Sequence, residues 1–235
     1  MKKTHTFERF ESKYLLTSNQ KDALMALYND HLVEDAFPHT HIVSVYFDTC
    51  DYRVIRESIE AKDYKEKLRL RKYVSDNQSG TLFFEIKRKV DGIVYKRRKG
   101  ITSLQEIHRI HDSNPKELDQ IEHEIQYVFQ RNPDLKPSIL IGYDRDAYKA
   151  CDDDTFRLTI DTAIKARFID VMDLEDTDGD HLLEEGMSLM EVKTRLGYPR
   201  WFLDFLNENG VIKQSFSKYG NAFKQKVAQG EIIYG

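Results

Sequence analysis

The chain has 235 residues, of which 40% are hydrophobic and 32% charged, and its formal net charge is −4. This composition excludes a disordered tract and a generic nucleic-acid coat; the length suits one large domain or two small ones and does not choose between them, and a single domain over residues 1–235, the expectation here, needs no disulfide staples. Cys50 and Cys151 stand in unrelated contexts, no apolar run follows Met1-Lys2-Lys3, and no stretch reaches the ~20 apolar residues of a membrane span, so a cytoplasmic protein is expected.

In chain order, residues 5–16 read as a strand, and Ser18 caps an amphipathic helix running to about His31, with Leu24, Leu27, Tyr28 and Leu32 on one face. The β-branched and aromatic run His41–Asp48 predicts a strand, followed by a short helix near Tyr52–Ile59. Residues 65–74, 81–89 and 93–100 predict three successive strands, the last two joined by an Asp91-Gly92 hairpin turn. Ser103 and Pro115 open two helices, the second reaching Arg131. Strands are expected at 138–148, 155–161, 163–172 and 188–195, then a helix opened by Pro199 and closed by Gly210, and a last helix over 218–229. About eight antiparallel strands of this length predict an α+β fold, a β-barrel with peripheral helices.

Charge is distributed unevenly. The segment Lys62–Lys99 holds thirteen Lys or Arg against five acids, a net +8, so the rest of the chain carries −12. A basic segment in an acidic protein points to a focused anion site. Side chains two apart on a strand share a face. By that rule Glu11 and Lys13 pair up, as do Arg69 with Arg71 and Tyr73, Glu85 with Lys87 and Lys89, and Lys96 with Arg98. Tyr143 with Arg145, Arg157 with Thr159 and Asp161, and Glu191 with Lys193 repeat the pattern. One such strand is an ordinary solvated face. Seven sharing the pattern predict a cationic lining, and unpaired buried charge is costly enough to require an anion. Arg and Lys suit phosphate oxygens, and neighbouring carboxylates suit Mg²⁺ or Mn²⁺.

Several segments, in order, carry a resemblance: RFESKYLL at the start, SVYFDT at 44–49, KLRLRKY at 67–73, FFEIKRK at 83–89, YDRDAY at 143–148, FRLTID at 156–161, MEVKT at 190–194 and FSKY at 216–219. They resemble the VTC domain, the polyphosphate polymerase domain of the vacuolar transporter chaperone family, within the triphosphate tunnel metalloenzymes or CYTH-like superfamily. The resemblance implies a tunnel-shaped antiparallel barrel that transfers the γ-phosphate of ATP onto polyphosphate with Mn²⁺ or Mg²⁺. It implies phosphate contacts from Lys13, Arg69, Arg71, Lys87, Lys96, Arg145, Arg157, Lys193, Ser217 and Lys218. Of these, Lys13, Arg69, Arg71, Lys87 and Lys218 take the catalytic role. Glu191 is the implied metal ligand, with Glu11 and Glu85 as further carboxylate candidates. Arg9 stands where the wider superfamily opens with Glu, and Ser215 stands where polymerase members often carry a second Lys. Expected partners are ATP, triphosphate or polyphosphate, no nucleic acid, and a membrane protein supplied as a separate chain. A triphosphate or polyphosphate hydrolase and a non-catalytic polyphosphate- or nucleotide-binding module stay open as alternatives.

Other signals are weaker. Asp176, Asp178, Gly179 and Glu185 fit part of a calcium-loop pattern, but Leu174 occupies its first position, so an acidic turn is expected. The His39/His41 and His108/His111 pairs have no third zinc ligand in sequence, and no Walker-type phosphate loop is present.

Overall fold

The computed structural model describes residues 10–61, 63–75, 78–91 and 93–232. Arg9, Lys62, Asp76, Gly92 and residues 5–8 of the first expected strand lie outside the described residues. The elements, in chain order, are β1 (Phe10–Leu16), α1 (Ser18–Met25), α2 (Tyr28–His31), β2 (Leu32–Asp48), α3 (Arg53–Glu60), β3 (Tyr64–Ser75), β4 (Gln78–Val90) and β5 (Ile93–Ile101). Then follow α4 (Gln105–Asp112), a 3-10 turn (Pro115–Glu117), α5 (Gln120–Arg131), β6 (Lys136–Ala150), β7 (Arg157–Arg167) and β8 (Asp180–His181). The last four are β9 (Ser188–Thr194), α6 (Arg200–Glu208), β10 (Lys213–Gln214) and α7 (Lys218–Ala228).

Local differences from the sequence expectation have physical causes. Thr17, not Ser18, caps α1, in a capping box with Gln20. The helix expected through His31 is interrupted at Leu27, whose φ −88° and ψ 0° leave the α region. β2 starts well before His41, at Leu32, although its first half is mostly exposed and holds Glu34, Asp35 and Pro38. Asp119 caps α5 after the 3-10 turn that Pro115 begins. The two strands expected over 155–172 are one strand, β7, with Ala163 at φ 49° inside it. The stretch beyond β7 is a loop built around Arg167, whose Nη2 donates to the carbonyls of Asp170 and Asp173 and whose Nη1 lies 2.7 Å from Asp176. The calcium-like sequence is thus an acidic turn, part of it folded on a guanidinium, and β8 closes it by pairing with Lys165 and Ala166.

The chain divides into two compact units. The first comprises residues 1–40, 143–164 and 183–216, the second 41–142, 165–182 and 217–235. In the first, β10-β1-β9-β7 is the hydrogen-bonded order. Tyr14, Leu158, Ile160, Met190 and Val192 point from one sheet face into a core closed by Leu24 of α1 and Phe202 and Phe205 of α6. In the second, the order is β2-β3-β4-β5. There Val45, Leu68, Leu70, Phe84 and Ile86 meet Ile107 and Ile110 of α4 and Ile125, Val128 and Phe129 of α5. β6 is bonded to β7 and to β2. The expected α+β architecture with antiparallel pairing is therefore present. Closure into a ring is not, because among the described residues the strand path ends on β10 and β5.

Candidate functional site

The period of two delivers the expected faces in both units. Leu68, Leu70, Phe84 and Ile86 are buried in the second unit's core, which leaves the alternate positions of β3 and β4 on the opposite face. Across that face the register sets Lys65 opposite Lys89, Lys67 opposite Lys87 and Arg69 opposite Glu85. β5 adds Lys96 opposite Lys87 and Arg98 opposite Glu85. Like charges directly opposite one another weaken a sheet, so this grid carries a cost that a bound anion removes.

Glu85 is the acid at its centre. The residue is fully buried; Arg69 donates Nε at 2.9 Å and brings Nη2 within 2.8 Å of Oε2, and Lys96 Nζ lies 2.8 Å from Oε1. Burial opposes its ionisation, but Arg69, Arg71 and Lys96 outweigh it and hold the carboxyl at about 2. Lys96 is itself pushed down by burial, against the pull of Glu85. Arg69 Nη1 also donates to the Tyr46 hydroxyl at 3.1 Å, while Arg71 donates to Ser44 Oγ and Tyr73 OH at 3.1 and 3.3 Å. Buried Tyr46 resists ionisation by desolvation, yet Arg69, Arg71 and Lys67 lower its phenol to about 7. Lys67 Nζ donates to Ser217 Oγ at 3.0 Å; Ser217 is the N-cap of α7 and Lys218 its first residue.

Cations of the opposite parity are neutralised elsewhere. Arg88, of opposite parity to Lys87, contacts Glu66 at 2.5 Å and Glu124 at 3.0 Å. Lys99 pairs with Asp119 and Glu122, and Lys72 with Glu175. Among the described residues, the excess of positive charge read from Lys62–Lys99 thus concentrates on one face.

In the first unit, the β1–β9 and β7–β9 registers place Glu11 opposite Lys193, Lys13 and Thr159 opposite Glu191, and Arg157 opposite Lys193. Glu191 is buried and ringed by cations, with Lys13 Nζ at 3.1 Å, Arg145 Nη2 at 3.7 Å and Lys193 Nζ at 3.8 Å. Lys13 also donates to the Phe216 carbonyl at 2.8 Å. Arg145 forks onto Asp161 at 2.6 and 2.7 Å; burial opposes its charge, and Tyr143 and Asp161 together outweigh burial and favour the charged form. Arg157, half exposed, lies 3.5 Å from Asp35.

The first-unit face fits a divalent cation by its donors. Glu191 and Glu11 offer hard carboxylate oxygens on one face. The Thr159 hydroxyl, opposite Glu191, is buried with no hydrogen-bond partner. Three cations within 4 Å of Glu191 repel a lone metal ion, so the fit requires phosphate to arrive with it. Glu85 differs, because each of its oxygens already faces a cation. Tyr46, Lys67 and Tyr219 complete the second unit's face, and Asp161 the first unit's. The site reading from sequence set Asp161 on the face of Arg157 but omitted Tyr46, Lys67 and Tyr219, although Tyr46 shares the parity of Ser44 in the 44–49 motif and Lys67 that of Arg69.

Comparison with known proteins places the chain. A model of the VTC domain matches residues 8–227. No curated protein matches the chain by sequence. Among solved structures, the PH1819 protein of Pyrococcus horikoshii OT3 is similar at a TM-score of 0.53 and 12% identity, covering 93% of this chain and 99% of its own. A Vibrio parahaemolyticus protein is similar at a TM-score of 0.49 and 13% identity, covering 92% and 97%. At such identity the likeness to PH1819 concerns the fold alone. The family match spans every residue expected to contact phosphate, from Lys13 on β1 to Lys218 on α7, and the chain belongs to the VTC domain family.

Proposed function

We propose that this protein is a phosphotransferase that moves the terminal phosphoryl group of ATP onto a polyphosphate chain. Membership of the VTC domain family supports an enzyme of triphosphate metabolism. The observation that carries the finer reading is the grouping of Arg69, Arg71, Lys67, Lys87 and Lys96 around one buried carboxylate, Glu85. Such a face holds condensed phosphates by charge and geometry, and phosphoryl transfer asks little else of a protein. The family match runs through both compact units, which supports reading residues 1–235 as one functional domain.

In this reading Arg69 and Arg71 grip equatorial phosphate oxygens, their planes fixed by Glu85, Tyr46, Ser44 and Tyr73. Lys87 and Lys96 add point charges, and Ser217 and Lys218 present the start of α7 to a phosphate. In the first unit Lys13, Arg145, Arg157 and Lys193 take the same part. Glu191 with Glu11 would hold Mn²⁺ or Mg²⁺, which supplies neutralisation of phosphate charge when bound. One sequence feature favours a second reading, hydrolysis of triphosphate or polyphosphate: Ser215 stands where polymerase relatives often carry Lys. A separate membrane-protein partner belongs to the first reading; among the described residues no helix is long and apolar enough to cross a membrane.

The test is to incubate the pure protein with labelled ATP and Mn²⁺ and resolve the products by chain length. Growing chains are expected. Orthophosphate as the sole product would replace the polymerase with the hydrolase, and no turnover with intact tripolyphosphate binding would leave a binding module.

A further inference from the structure

Asp48 is the last residue of β2 and fully buried. Its Oδ1 accepts from the amides of Thr49 and Val54, both at 2.8 Å, and its Oδ2 from the Ile55 amide at 2.9 Å and the Tyr219 hydroxyl at 2.6 Å. The Val54 and Ile55 bonds cap α3, whose preceding residue Tyr52 has φ 58° and supplies no side-chain cap. A carboxylate this deep is costly unless every lone pair is met, so the three amides and the phenol hold one arrangement. The phenol is the donor that comes from elsewhere in the chain, 171 residues away.

Tyr219 directly follows Lys218 in the first turn of α7, whose N-cap is Ser217. Its ring is buried and lies 5.1 Å from that of Tyr46, the residue that accepts from Arg69. Ser217 Oγ caps the Gly220 amide and takes the Lys67 ammonium. A Cβ on Gly220 would meet Ile59 of α3 at 3.8 Å, so the two helices are in close register there. The start of α7 is therefore tied to β2 and α3 through one buried hydrogen bond and one ring contact.

We infer that Asp48 and Tyr219 are positioning residues: their bond sets where Ser217 and Lys218 stand beside Lys67 and Arg69, and so how tightly phosphate is held. The inference rests on the phosphate-binding reading of Ser217 and Lys218. Neither Asp48 nor Tyr219 touches the ligand; they act through the α7 terminus.

The experiment measures tripolyphosphate affinity by calorimetry for wild type, Tyr219→Phe, the Ser217→Ala/Lys218→Ala variant, and the combination. Tyr219→Phe removes one oxygen and preserves the ring, and circular dichroism confirms folding. In the wild-type background it should weaken binding about three- to tenfold, and in the Ser217→Ala/Lys218→Ala background it should cost nothing further. A purely structural role would give the same loss in both backgrounds, or none in either, and each of these overturns the inference. Asp48→Asn should show the same coupling; if it does not fold, Tyr219→Phe alone decides. Wild type that fails to bind tripolyphosphate overturns the functional reading and removes this inference with it. Wild type that binds, beside an unaffected Tyr219→Phe, overturns the inference alone.

Discussion

Lys13 stands directly across the β1–β9 ladder from Glu191, with its ammonium 3.1 Å from the carboxylate. A metal ion drawn to Glu191 must share it with that ammonium, so metal and phosphate should bind together. Tripolyphosphate is expected to raise Mn²⁺ affinity, measured by Mn²⁺ electron paramagnetic resonance. In Glu191→Gln a neutral amide replaces a hard anionic ligand, and Mn²⁺-dependent turnover should fall by more than about tenfold. Metal-free tripolyphosphate binding should persist or tighten. An unchanged Mn²⁺ requirement in the variant would show that Glu191 only balances charge.

Acid should weaken the second unit through Glu85. Its carboxyl lies at about 2 when folded against an ordinary 4.5, so its contribution is complete above 4.5 and fades as pH falls from there toward 2. Glu85→Gln leaves Arg69 and Lys96 facing one another without their shared anion, at a cost of about 2–3 kcal/mol, since Lys96 is partly solvated. Urea melts of wild type and variant across that pH range should converge as pH falls. Curves that remain parallel would remove Glu85 as the cause.

Tyr46 should report ligand binding. Its phenol sits at about 7 against an ordinary 10, so one tyrosine should ionise near neutrality in the ultraviolet spectrum and disappear in Tyr46→Phe. The associated stability appears as pH rises from 7 toward 10 and is full above 10. Tripolyphosphate neutralises Arg69 and Arg71, so saturating ligand should move the transition upward. A transition that ignores the ligand would place the phosphate away from this face.

The grid beyond Arg69 predicts a preference for length. Lys67 opposite Lys87 and Lys65 opposite Lys89 continue the cationic face along β3 and β4 by about 3.3 Å per residue. Affinity should rise from tripolyphosphate to longer polyphosphates. A Lys65→Ala/Lys89→Ala variant should lose that rise, about three- to tenfold for the longer chains at low salt, with tripolyphosphate binding preserved. Equal losses for both ligands would argue against a directional track.

Arg69→Ala and Arg71→Ala should abolish turnover with the protein still folded, and Arg69→Ala should lower the melting temperature because it takes a partner from the buried Glu85 carboxylate. A collapsed fold in Arg71→Ala would show that its bonds to Ser44 and Tyr73 are structural first.

Strand faces were legible in the sequence because side-chain direction alternates with period two whatever the neighbours do. That rule alone put Arg69, Arg71, Lys87 and Glu85 on one face and Leu68, Leu70, Phe84 and Ile86 on the other. The ordered motifs likewise carried the family, which the match over residues 8–227 bears out. Partnership was not legible, because it depends on contacts far apart in the chain. Arg88 reads as one more cation of KRK, yet Glu66 and Glu124 neutralise it. Asp48 reads as a strand end, yet it holds Tyr219. Strand limits were not legible either: β2 reaches back to Leu32 past Glu34, Asp35 and Pro38, and β7 runs through Ala163 to pair with β8. Whether the sheet closes into a ring depends on the pairing of its two end strands, which alternation within each strand does not specify; among the described residues the path ends on β10 and β5. The sequence by itself determined which residues share a face, and the tertiary structure decided which of those charges are paired with carboxylates from distant parts of the chain.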